Sequence, residues 1–136
     1  MPSPNAPPPR ARVLAVDDSY VMRELVTLSL EAAGYSVEAV ASGDAALVAA
    51  AREDFDAFIL DVDMPGMDGL AVGRALRKDP RTRSSMIAMH TSLDEADVRT
   101  GFDGYNAYLR KPFDARRLGE CVDRMLRDRR ARGRDA

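Results

Sequence analysis

Val13-Leu14-Ala15-Val16-Asp17-Asp18 is a four-residue apolar run that ends in two carboxylates. A short, uninterrupted apolar run reads as a strand buried on both faces, which is the habit of a parallel sheet. The pattern recurs along the chain. Ser36 to Val40 reads as a second strand, Ala57-Phe58-Ile59-Leu60 as a third ending in Asp61, and Met86-Ile87-Ala88-Met89 as a fourth leading to Thr91 and Ser92. Ala107-Tyr108-Leu109 is a fifth, leading to Lys111-Pro112. Helical patterns separate and follow them. Residues 20–33 place Val21, Leu25, Leu28 and Ala32 on one stripe, with Gly34 as the stop. Ser42 is a cap for a helix over 43–52, and 70–78 form a third that Asp79-Pro80 ends. Ser92-Leu93-Asp94-Glu95 has capping-box spacing and opens a short fourth helix. Residues 115–127 form a fifth, with Leu118, Val122, Met125 and Leu126 on one face and Cys121 beside them. Five strand-helix units in succession predict an α/β fold: a five-stranded parallel sheet, doubly wound, with right-handed crossovers.

Composition bounds what such a chain can do. Its 136 residues suit one domain, and 46% apolar with 31% charged residues is a globular balance. One cysteine and one histidine, Cys121 and His90, leave no disulfide framework and no clustered zinc site. No apolar run approaches the roughly 20 residues of a membrane span, and the first residues carry no apolar signal core, so a cytoplasmic protein is expected. Five of the eight prolines lie in residues 1–9, and residues 1–11 read as a flexible arm before a domain at 12–127. Residues 13–123 carry 20 acids and 12 bases, a net of −8, whereas residues 124–134 carry six arginines and one aspartate, a net of +5. Residues 128–136 therefore read as a basic flexible tail, and neither nucleic acid nor membrane is an expected partner of the acidic body.

In doubly wound sheets, ligands bind at the carboxyl ends of the strands. The residues there are Asp17, Asp18, Asp61, Asp63, Thr91 and Lys111. Two carboxylates about 4 Å apart repel by roughly 4 kcal/mol at an effective dielectric of about 20. A group of three or four therefore calls for a cation, and all-oxygen donors with room for water suit Mg²⁺. A carboxylate beside Mg²⁺ can attack phosphorus, and a lysine ammonium and a hydroxyl can hold the oxygens of the transferring group.

Four stretches together carry a resemblance: Val13-Leu14-Ala15-Val16-Asp17-Asp18, Asp61-Val62-Asp63-Met64-Pro65-Gly66-Met67-Asp68-Gly69, Thr91-Ser92 and Lys111-Pro112-Phe113. In this order, each after an apolar strand, they resemble the response-regulator receiver domain, the CheY-like family of two-component signalling, over about residues 12–127. The resemblance implies a flavodoxin-like fold with Asp61 as phosphoacceptor and Asp18 as a direct Mg²⁺ ligand. It implies that Asp17 acts mainly through a bound water and that Asp63 offers its backbone carbonyl. It further implies Thr91 as the switch hydroxyl, Lys111 as the ammonium that pairs with acceptor and phosphate, Tyr108 as the switch aromatic, and a cis Lys111-Pro112 bond. The chain would then be a stand-alone response regulator rather than an enzyme acting on a separate substrate. It would take a phosphoryl group from a histidine kinase or a histidine phosphotransfer protein. Output would pass to a downstream protein through the face of the fourth helix, fifth strand and fifth helix, with a homodimer through that face a candidate.

The chain departs from the family pattern in two places on that face. The stretch between Thr91 and Lys111 is short, and Tyr105 replaces a small residue. Leu93, two past Thr91, lies near the phosphate entrance in this reading and could hinder an attacking water. His90 reads as packing. A competing reading takes Asp61-Val62-Asp63 as the D-x-D motif of the haloacid dehalogenase phosphatases. That family carries it on the first strand and adds a cap domain, neither of which this sequence offers. A phosphorylation-independent, DNA-contacting protein has only the arginine-rich end in its favour.

Overall fold

The computed structural model describes residues 11–112 and 114–135. The proline-rich segment 1–10, expected to be a flexible arm, and Phe113 lie outside the described residues. Ten elements alternate: β1 (Arg12–Val16), α1 (Tyr20–Ala32), β2 (Ser36–Val40), α2 (Gly43–Arg52), β3 (Ala57–Leu60), α3 (Gly69–Lys78), β4 (Met86–Thr91), α4 (Glu95–Gly101), β5 (Ala107–Arg110) and α5 (Ala115–Asp135). The strands form one parallel sheet in the order β2-β1-β3-β4-β5, as the doubly wound reading predicts.

Period-two alternation divides the core between the two faces of the sheet. Leu14, Val16, Phe58, Leu60, Ile87 and Met89 face α2, α3 and α4, where Ala46, Val72, Leu76 and Val98 cover them. Val13, Ala15, Ala57, Ile59 and Ala88 face α1 and α5, where Val26, Leu30, Leu118, Val122 and Met125 close over them. Cys121 packs at the margin of this second layer, as a small apolar residue would.

The helix boundaries follow local chemistry. Ser42 accepts from the Ala45 amide and Asp68 from the Ala71 amide, capping α2 and α3. Gly34, at φ 98°, takes the left-handed position just past α1. Gly69 opens α3 against the site: a Cβ there would stand 2.1 Å from the Asp61 carbonyl oxygen, so only glycine lets the helix approach β3 this closely.

Three expectations are corrected. The stripe Val21, Leu25, Leu28 and Ala32 of α1 faces solvent, with Val21 and Leu28 more than 60% exposed. The core-facing stripe lies one or two residues on, at the buried Val26 and Leu30 with the partly buried Met22 and Ala33, because that face meets β1 and α5. Ser92 does not cap α4. Its N-cap is Asp94, which makes no side-chain cap bond because its carboxylate accepts from Arg110 at 2.5 Å. Finally, the segment expected as a tail from 128 continues α5 as helix to Asp135. Leu126 is buried, and Arg129 Nη1 donates to both the carbonyl and the carboxylate of Asp56, tying the added turn to the β3 edge. Arginines suit a helix interior and the negative end of its dipole.

The corrected α1 register has a stability consequence. Leu30→Ala should cost about 2–4 kcal/mol, whereas Leu28→Ala should cost less than about 0.5 kcal/mol. Urea unfolding of the two variants checks this, and the reverse ranking would restore the other stripe.

Candidate functional site

Register brings the site together. Val16 pairs with Leu60 across β1 and β3, so Asp17 and Asp61, one residue further, leave adjacent strands side by side. Thr91 pairs with Arg110 across β4 and β5, so Lys111 leaves β5 beside the end of β4. The site lies where the strand order turns from β1 outward in two directions, the switch point at which doubly wound sheets open a crevice.

Asp17, Asp18 and Asp61 each offer a carboxylate oxygen, all within 4.8 Å of one another. Asp17 and Asp61 are buried and Asp18 is exposed. Lys111 Nζ donates to Asp17 Oδ2 at 2.8 Å and lies 3.3 Å from Asp61 Oδ1. The other oxygen of Asp17 accepts from the Ser19 amide at 2.9 Å. Burial, then the charges of Asp17 and Asp18, push the Asp61 carboxyl up to about 6, against the pull of Lys111. Burial opposes the Lys111 charge, but the bonds and charges of Asp17 and Asp61 outweigh it and raise the ammonium above its usual range. Three carboxylates against one ammonium leave two negative charges without a partner in the cluster. With oxygen donors only, the cluster fits a hard divalent cation such as Mg²⁺.

Thr91 is fully buried, and its Oγ1 accepts from the Leu93 amide at 3.1 Å. The half-buried Tyr108 donates its hydroxyl to the Leu93 carbonyl. Asp63 is exposed, and its carboxylate lies outside the gathered three. Lys111-Pro112 is cis. His90, one residue before Thr91, is buried, and burial and the Lys111 charge lower its pKa to about 4 against the pull of Asp17, so it packs as a neutral imidazole.

Two supporting residues escaped the sequence reading. Ser19 caps α1 through its hydroxyl while its amide holds Asp17, and Arg23 Nη1 donates to the Asp17 carbonyl at 2.9 Å. A serine between an acidic pair and an apolar helix is a cap signal that could have been read. Arg23 carries no such signal. A third group is legible only in space. Tyr108 holds Leu93, Arg110 holds Asp94, and Tyr105 donates to Glu95 Oε2 at 2.7 Å, so the start of α4 is clasped residue by residue to β5 and its approach.

Fold and site together define a receiver: the profile described as "Response regulator receiver domain" matches residues 13–123, and the chain belongs to that family. Receiver domains of this kind accept phosphorylation on aspartate and bind Mg²⁺ at an acidic pocket. The chain is 42% identical over 106 residues to the response regulator PleD of Caulobacter vibrioides, covering 76% of this chain and 23% of that protein. It is 36% identical over 118 residues to RpaA of Synechocystis, a DNA-binding dual master transcriptional regulator, covering 85% of this chain and 49% of RpaA. The chain thus spans about half or less of the curated relatives it matches. The chemotaxis protein CheY4 of Vibrio cholerae superposes with a TM-score of 0.81 at 36% identity, over 85% of this chain and 98% of CheY4. Among the described residues, no helix is long and apolar enough to cross a membrane.

The raised Asp61 carboxyl sets a pH dependence. Its proton is retained in the folded chain at pH values where the unfolded chain has lost it. Ionising Asp61 therefore costs stability, a cost absent below about pH 4 and complete above about pH 6. In metal-free buffer, urea unfolding should find stability falling across that window, and Asp61→Asn should be more stable at pH 7 by about 1–3 kcal/mol. Adding Mg²⁺ should shrink the difference. Equal stabilities of the two proteins from pH 4 to 7 would contradict the burial assigned to Asp61.

Proposed function

We propose that the chain works as a stand-alone, cytoplasmic phosphoacceptor of a two-component relay, with Asp61 receiving the phosphoryl group from a histidine kinase or a histidine phosphotransfer protein. The observation that carries this reading is Lys111 lying between the buried carboxylates of Asp17 and Asp61. In the reaction, an Asp61 oxygen bonds to phosphorus while the phosphorus–nitrogen bond to the donor histidine breaks. The imidazole leaves with the electron pair and takes a proton. Asp18, Asp61 and the Asp63 carbonyl would hold Mg²⁺, with Asp17 acting through a bound water, and the ion when bound supplies positive charge to the phosphoryl oxygens. Lys111 neutralises charge on the same group. Thr91 turns its hydroxyl from the Leu93 amide to a phosphoryl oxygen, and Tyr108 follows inward. The released β4–α4 segment then biases the α4-β5-α5 face between two states. That face would bind the downstream protein or a second copy of the chain.

The donor must bring phosphohistidine to Asp61, so its surface must surround the acidic site. Directly beside Asp18, α1 exposes Tyr20, Val21, Leu25 and Leu28. That apolar stripe, continuous with the site, suits docking of the donor protein. Leu28→Asp should block phosphoryl transfer from the cognate donor while leaving phosphorylation by acetyl phosphate intact. Transfer at an unchanged rate would remove α1 from the donor surface.

The chemistry itself is tested by intact-mass spectrometry after incubation with acetyl phosphate and Mg²⁺. One phosphoryl adduct is expected, absent with EDTA and in Asp61→Ala. If wild type is phosphorylated by neither acetyl phosphate nor kinase and a beryllofluoride titration shows no binding, the phosphoacceptor reading fails. Leu93 packs against the core beside Thr91. Leu93→Ala and Leu93→Glu should change the decay rate of the phosphorylated protein severalfold, and an unchanged rate removes Leu93 from water exclusion.

A further inference from the structure

At the amino-terminal ends of β4 and β5, remote from the acidic site, lies a cleft of about 540 Å³. Arg77, Arg83, Arg129, Arg132, Ser84 and Asn106 line it, and no carboxylate does. Arg77 and Arg83 stand in residues 13–123, of net charge −8, and Arg129 and Arg132 in the basic 124–134; Glu120 and Asp128 line the adjoining hollow that shares Arg132.

The four guanidinium groups are not equivalent. Arg77 is locked: Nε donates to the Gly104 carbonyl, Nη1 to the carbonyls of Arg83 and Ser85, and Nη2 to Asn106 Oδ1, at 2.6–2.9 Å. It is therefore a rigid, half-buried cation balanced by carbonyl dipoles and by no acid among the described residues. Arg129 is answered by Asp56 at 3.2 Å. Arg83 and Arg132 are exposed, and among the described residues their guanidinium groups meet no hydrogen-bond acceptor and no carboxylate. Three elements thus contribute: α3, the α3–β4 connection and the extended end of α5.

We propose that this cleft binds a compact ligand bearing two phosphate groups, such as a nucleoside diphosphate. Guanidinium forks match phosphate oxygens two at a time, which the open groups of Arg83 and Arg132 can do, and a diphosphate carries two to three negative charges to set against these two cations and the nearby charge of the locked Arg77. The hollow is open to solvent, and its volume falls in the range of small-molecule sites. The arginines converge from separate elements on one hollow, whereas a nucleic-acid backbone would call for a continuous stripe. The site lies at the opposite strand ends from Asp61 and does not depend on the phosphoacceptor reading.

Isothermal titration of the full chain with ADP and with pyrophosphate, against sulfate at matched ionic strength, tests this. Saturable one-site binding of ADP or pyrophosphate below about 1 mM is expected, with sulfate far weaker. Arg83→Glu/Arg132→Glu should weaken binding at least about tenfold, while Arg116→Glu/Arg124→Glu, on other faces of α5, should change it less than about threefold. Both pairs are exposed, and circular dichroism checks that each variant is folded. Arg83→Ala/Arg132→Ala serves if the charge reversal perturbs the fold. The absence of saturable binding would overturn the site. So would an equal loss in both pairs, or preferential binding of a DNA duplex or an acidic peptide.

Discussion

Three carboxylates within 4.8 Å of one another repel strongly wherever water is scarce, and Lys111 is the ammonium that lets Asp17 and Asp61 share the interior. Much of the local architecture serves that meeting. The Ser19 amide and the Arg23 guanidinium hold Asp17 from the side of α1. Gly69 lets α3 come down onto the Asp61 carbonyl. The Lys111 amide donates to the Thr91 carbonyl at 2.8 Å, so the strand that delivers the ammonium is anchored to the strand that delivers the hydroxyl. Even so, the balance is incomplete. The carboxyl of Asp61 stays high because one cation cannot offset burial and two neighbouring carboxylates. A site strained in this way gains most from whatever brings further positive charge, which is the physical root of its fit to a divalent cation.

The same site is wired to the β5 side of the molecule. Leu93 sits between Thr91 and Tyr108, its amide on the Thr91 hydroxyl and its carbonyl on the Tyr108 hydroxyl. Arg110 and Tyr105 then hold Asp94 and Glu95, the residues that begin α4. Asp94 gives up its ordinary capping bond for the pair with Arg110, so the first turn of α4 is anchored to β5 rather than to itself. Exposed ion pairs of this kind are individually weak, about 0–1 kcal/mol. A short, seven-residue helix held by weak clasps belongs to the low-stability end of the fold.

Charge is distributed with equal consequence away from the site. Extension of α5 to Asp135 carries Arg129 and Arg132 across the amino ends of the strands, where they meet Arg77 and Arg83. A basic segment that sequence would leave in solvent becomes one wall of a cleft. Its helical continuation is supported by the buried Leu126 and by the Arg129–Asp56 contact, whose acid lies 73 residues upstream.

The sequence by itself determined the ten elements, the parallel sheet and the identity of the residues at the strand ends. Each is a local property: an apolar run buried on both faces needs no partner to be recognised, and the residue after it is at the carboxyl edge by definition. Strand ends were legible to within a residue or two, because β1, β4 and β5 extend through Arg12, Thr91 and Arg110, where pairing rather than hydropathy decides the boundary. Tertiary structure decided the rest. Helix α1 carries two apolar stripes offset by one or two residues, and only its packing against β1 and α5 selects Val26 and Leu30 over Leu25 and Leu28. Ser92 had the right spacing to cap α4, but the N-cap is Asp94, whose carboxylate is held by Arg110, sixteen residues on. The cluster of arginines around Arg77 joins positions up to 55 residues apart, from Arg77 to Arg132. Such contacts have no local signature, because they are made by the meeting of surfaces that the chain order leaves independent.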